Sequence, residues 1–122
     1  MKRKCRTPPA SPGIGEVFLN PSLTCGEFQT IGLIWLVVNN TPDGQHWLVV
    51  GAVEEGAHAE HFILTPGGRR FGSKYLPVRM KWDLNRNFTV TYQELWRNGA
   101  VIGRVQMRWA EDAWRKIRGL AS

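Results

Sequence analysis

Strand-length apolar runs recur from residue 31 onward, separated by clusters of Gly, Pro, Asn and Asp. Residues 31–38 (IGLIWLVV) and 46–53 (HWLVVGAV) flank NNTPDGQ, a turn in which Pro42 suits the second position and Gly44 can take positive φ. EHFILT follows, then the Gly-rich break PGGRRFG, then KYLPVRMKWDL, NFTVTYQELW and AVIGRVQMRW. Strands joined by short turns, without βαβ alternation, predict a mainly β fold: an antiparallel meander or partly closed β-barrel of six to seven strands. Nearer the N-terminus, GEVFL and GEFQT each match a short strand. In residues 110–120, Ala113, Trp114, Ile117 and Leu120 share one face, with acids leading and bases trailing, which predicts a C-terminal amphipathic helix.

The most specific local signal is Asn98-Gly99, because both residues tolerate the positive φ of a type I′ hairpin turn. A two-residue loop there sets Phe88 against Trp109, Val90 against Met107, Tyr92 against Val105, Glu94 against Gly103 and Trp96 against Val101. If Asn85-Arg86-Asn87 closes the preceding hairpin, Val78, Met80, Trp82 and Leu84 join the same apolar face. The opposite face then carries Arg79, Lys81, Arg104 and Arg108 among Thr89, Thr91, Gln93 and Gln106. Glu94 is the exception on the apolar side. A carboxylate sealed there needs a partner, a raised pKa or access to water. It either furnishes the acid of a pocket lined by Trp82, Tyr92, Trp96 and Trp109, or reaches solvent near the hairpin tip.

The earlier hairpin is apolar on both faces. Val38/Leu48, Leu36/Val50 and Ile34/Ala52 fall on one side, Val37/Val49, Trp35/Gly51 and Leu33/Val53 on the other. Each large side chain left uncovered forfeits about 1.5–3 kcal/mol. Both faces therefore require cover, from the C-terminal helix, a closed barrel interior or a second subunit.

A length of 122 residues suits a single domain. Residues 1–12 (MKRKCRTPPASP) read as a mobile basic tail and residues 13–122 as the globular unit. The longest apolar run, eight residues, is too short to cross a membrane as a helix. No apolar stretch follows the basic start, and Cys5 and Cys25 are isolated thiols, so the expected location is the reducing cytoplasm. Net charge is +6, but residues 1–12 carry +4, residues 13–65 carry −6 and residues 66–122 carry +8. If the halves stay apart in space, these are complementary poles for self-association.

Candidate chemistry is sparse. EEGAHAEHF gathers Glu54, Glu55, His58, Glu60 and His61, but lacks the spacing of a zinc site, so no metal is expected. TPGGRRFGSK has the composition of an anion cradle, with Arg69, Arg70 and Lys74 among glycines, but it is not a P-loop, and a flexible solvated turn is the favoured reading over phosphate or nucleic-acid contact. No nucleophile–base set or cofactor fingerprint appears. The expectation is a non-enzymatic, cofactor-free binding module forming a homodimer. One alternative is nucleic-acid or other anion binding by Arg69, Arg70, Lys74, Arg79, Lys81, Arg104 and Arg108. The other is a ligand carrier or enzyme using Glu94 and its neighbouring aromatics.

Overall fold

A computed structural model describes residues 12–21, 23, 34–68 and 75–120. Six strands, β1 (Glu16–Leu19), β2 (Ile34–Asn40), β3 (His46–Val53), β4 (Phe62–Thr65), β5 (Met80–Thr91) and β6 (Ala100–Arg104), join in one antiparallel sheet. The order is β4-β5-β3-β2-β1-β6, and the sheet curls into a half-barrel. A short helix, α1 (Tyr92–Trp96), precedes β6, and a longer one, α2 (Met107–Leu120), ends the fold. The mainly β architecture with a C-terminal helix matches the sequence pattern. Cys5, Cys25, the GEFQT segment and the tail up to residue 11 lie outside the described residues.

The β2–β3 hairpin forms because its turn residues suit its geometry. Gly44 takes φ +70°, and its N–H donates to Thr41 O at 2.9 Å, placing Pro42 at the second turn position. Trp35/Gly51, Leu36/Val50 and Val37/Val49 pair as the alternation requires. Gly51 has a packing reason: a Cβ there would stand 3.0 Å from the ring of Trp35, which is fully buried. Beyond Val37 the register shifts, so that Leu48 faces Asn39 rather than Val38. The regular Val38/Leu48 pair is therefore replaced by a bulge.

Both hairpin faces are covered from within the chain. On one, Leu36, Val38, Leu48, Val50 and Ala52 pack with Val17, Ile63, Trp82 and Leu84 beneath Ala113 and Ile117 of α2. On the other, Trp35, Val37, Trp47 and Val49 pack with Phe18, Val90 and Leu95 of α1. The small Ala110 and Ala113, both fully buried, let α2 approach the sheet closely. The helix begins at Met107, earlier than the expected residue 110, so Arg108 rather than an acid occupies its first turn.

The C-terminal hairpin of the sequence reading does not form, and its register is overturned. Thr91 caps α1 with a capping box: its Oγ1 accepts from Glu94 N at 3.1 Å, while Glu94 Oε1 accepts from Thr91 N at 2.8 Å. Those reciprocal bonds satisfy helix-start donors, so the chain coils at Tyr92 instead of continuing as strand. Asn98-Gly99 makes a different turn. Arg97 (φ −67°, ψ 119°) and Asn98 (φ 58°) lie between Trp96 O and Gly99 N, 3.1 Å apart, in type II rather than type I′ geometry. Gly99 is needed for proximity, since a Cβ would fall 2.4 Å from Leu95 O. β6 consequently pairs with β1, and residues 107–109 are helical.

Nor does Asn85-Arg86-Asn87 close a hairpin. β5 runs straight through it, with Gly51 opposite Asp83 and Val50 opposite Asn87, so residues 84–86 bulge. The turn-forming side chains shape that bulge: Asp83 Oδ1 accepts from Asn85 N, and the Asn87 amide donates to Leu84 O. Arg86, 1% exposed, turns inward over Trp35 and donates to Ala52 O at 3.1 Å. Of the four residues expected on the apolar face, Trp82 and Leu84 are buried and Met80 is half-buried, while Val78 is exposed in a bend before β5.

Candidate functional site

The residues proposed for an acidic aromatic pocket are not brought together. Trp82 is buried on the α2 face, its Nε1 donating to Thr65 Oγ1 at 3.1 Å, and Trp109 packs on that same face. Tyr92 and Trp96 pack on the opposite face, in edge contact with each other at 6.4 Å between centroids. Glu94 is exposed and held by the capping box, so its place on an inner strand face is corrected. Its side chain reaches solvent, by way of a helix start rather than a hairpin tip.

The basic sheet face is not assembled in its expected form either. Arg79 pairs with Glu55 at 2.6 Å. Lys81 is buried, donating to the carbonyls of Glu55 and Ala57 and standing 4.5 Å over the Phe62 ring. Arg104 is half-buried at the end of β6 opposite Glu16, and Arg108 lies on α2 over Trp109. Arg69, Arg70 and Lys74 lie outside the described residues. The two charge poles also dissolve: β5 and β6 from the basic half lie beside β3 and β1 from the acidic half.

Two clefts border α2. One, of about 310 Å³, is lined by Glu60, His61, Phe62, Leu84, Lys116, Gly119 and Leu120. Its polar groups already engage neighbours, His61 with Glu60 at 3.8 Å and Lys116 with Asp112 at 3.3 Å.

The other cleft, of about 470 Å³, is built by the β2 bulge. Asn39, Leu48 and Thr89 stand opposite one another in register on three adjacent strands. Leu48 belongs to the α2 face, and cross-strand partners share a face. In regular alternation Asn39 would lie with Val37 on the α1 face; the extra residue puts Val38 and Asn39 on the same side. Trp114 of α2 forms a wall, and Asn40, Thr41 and Pro42 form the rim.

The rim is fixed by its own bonds. The Thr41 hydroxyl donates to the Asp43 carboxylate, which also accepts from Gln45 N at 2.8 Å. Those two bonds, the Thr41 hydroxyl first, with the nearby His46 adding to them, hold the Asp43 carboxyl below the usual aspartate range. Asn39 Oδ1 accepts from Asn40 N at 2.9 Å, leaving its Nδ2 to donate elsewhere. Among the described residues no partner takes Asn39 Nδ2, the side-chain amide of Asn40 or the Thr89 hydroxyl. None of the seven lining residues is charged.

Sequence reasoning missed this cleft because a bulge between apolar residues leaves no mark in the alternation. Its one legible component was the NNTPDGQ turn. Among the described residues, no helix is long and apolar enough to cross a membrane. Comparison with known proteins finds no matching family model, no similar curated protein and no similar solved structure.

Proposed function

We propose that the protein is a non-enzymatic binding module that takes a small uncharged ligand between the β2–β3 turn and Trp114. The observation that carries this reading is the row Asn39–Leu48–Thr89, set by a bulge beneath an indole wall, with free amide and hydroxyl groups and no charged lining residue. A cleft of about 470 Å³ suits a small molecule, and a few placed polar groups on an apolar floor orient one. Titratable groups for acid–base chemistry are absent from this lining. The test is an NMR screen of neutral fragments against the labelled protein. Binding that moves the Trp114 indole N–H and the Asn39 and Thr89 amides supports the reading. A screen in which those three signals stay fixed removes it.

Self-association is a second reading, favoured by the exposed apolar Val101–Ile102 stretch of β6. Its residues bond to β1 on one side; on the other, Tyr75 bridges to Arg104 and Leu76 N–H donates to Arg104 O at 3.0 Å, while Val101 and Ile102 are 39% and 42% exposed. No Lys or Pro blunts Ala100–Ile102, the usual protection of a free edge. On this reading two copies pair edge to edge about a two-fold axis, in place of the charge poles expected from sequence. Light scattering then gives twice the monomer mass, and Ile102→Lys gives the monomer. A monomeric wild type at high concentration excludes it.

A further inference from the structure

From the same cleft we infer the ligand class: a single sugar ring, a neutral monosaccharide unit. This inference rests on the binding reading above. Three features of the lining point to it.

The first is charge. An ionic ligand would surrender hydration to a lining that offers no counter-charge, which is costly in proportion to its burial. That argues against phosphates, carboxylates and ammonium compounds. The second is the donor and acceptor set. Asn39 Nδ2 donates, while the Asn40 side-chain amide and the Thr89 hydroxyl each donate and accept. Sugar hydroxyls both give and receive a hydrogen bond, so they can match such groups from adjacent carbons. A hydrocarbon chain would leave every one of these groups unpaired.

The third is the pairing of an indole with an aliphatic floor. Trp114 is half-buried, packed against the α2-side core with Arg118 standing 5.8 Å over its ring. A pyranose presents C–H bonds on its faces and hydroxyls around its edge. Its faces can contact Trp114 and Leu48 while its edge reaches Asn39, Asn40 and Thr89. The bulge at Val38 is what makes this possible, since it puts the Asn39 amide on the side of Leu48.

The experiment titrates the full-length labelled protein with the methyl glycosides of glucose, galactose, mannose and N-acetylglucosamine, each to about 50 mM, which detects even a dissociation constant of ~10 mM. At least one is expected to move the Trp114 indole N–H along a saturating curve. Asn39→Ala and Thr89→Val, with otherwise unchanged spectra, are each expected to weaken that sugar by about tenfold, the effect of losing one hydrogen bond of ~1.4 kcal/mol. If none of the four sugars moves the indole while a neutral aromatic fragment such as benzamide does, the sugar assignment is overturned and the binding reading stands. If neither sugars nor fragments move it, both fail. A sugar response that both variants leave intact also overturns the assignment.

Discussion

Thr91 and Glu94 each accept the other's backbone N–H, at 3.1 and 2.8 Å, and this exchange ends the twelve-residue strand β5. It also explains why an acid sits among the apolar positions of the C-terminal segment: Glu94 fastens the first turn of α1. Glutamine can replace glutamate in a capping box. Glu94→Gln is thus expected to leave urea stability nearly unchanged, whereas Thr91→Ala costs about 1 kcal/mol. Equal, large losses from Glu94→Gln and Glu94→Ala would show that its charge, rather than the cap, is what matters.

The close approach of α2 depends on Ala110 and Ala113, both fully buried where the helix packs on the sheet. Ala113→Leu forces that contact apart and is expected to destabilise the protein by about 1–3 kcal/mol. Leucine at the exposed Glu111 is the control and is expected to change little. Comparable chemical-denaturation midpoints for the two variants would contradict the packing described for α2.

Asp43 supplies a pH dependence whose sign follows from its lowered pKa. Its folded-state value lies below its unfolded value, mainly because the Thr41 hydroxyl and then Gln45 N–H bond the charged form. Its stabilisation of the turn is therefore present above the unfolded pKa and lost as pH falls through the folded one. An NMR titration is expected to show the Gln45 amide moving at a lower pH than an ordinary aspartate would dictate, and Asp43→Asn is expected to abolish that step. A midpoint at the ordinary value would contradict the bonded geometry.

The parts of the fold that the sequence made legible are those where side-chain pattern and local turn chemistry agree. The β2–β3 hairpin is one: Pro42 and Gly44 suit its turn, and Trp35, Leu36 and Val37 find their expected partners. The C-terminal helix is another, because Ala113 and Ile117 lie on one stripe. Where two local signals competed, alternation was the weaker guide. Residues 88–96 alternate as a strand should, yet Thr91 and Glu94, three apart, carry the capping box that coils the chain. Asn98-Gly99 marked a turn correctly but not its type, since Gly99 answers to the nearness of Leu95 and Asn20.

Other features depend on residues distant in sequence and had no local trace. β6 joins β1 rather than β5, and Asn20 Nδ2, 2.8 Å from Leu95 O, ties that end of β1 to α1. The bulge at Val38 is equally silent, because Val38 and Asn39 both border a turn and either could face Leu48. That silence is why the residues chosen from sequence, centred on Glu94, differ from those lining the cleft.

The bulge at Val38 turns Asn39 toward Leu48 and so places its amide in the Trp114 cleft. Cross-strand nuclear Overhauser effects between β2 and β3 test it most directly. Backbone contacts are expected to pair Leu48 with Asn39 and Trp47 with Asn40, alongside Val37 with Val49. A regular ladder in which Leu48 pairs with Val38 would return Asn39 to the other face and leave the cleft without its amide.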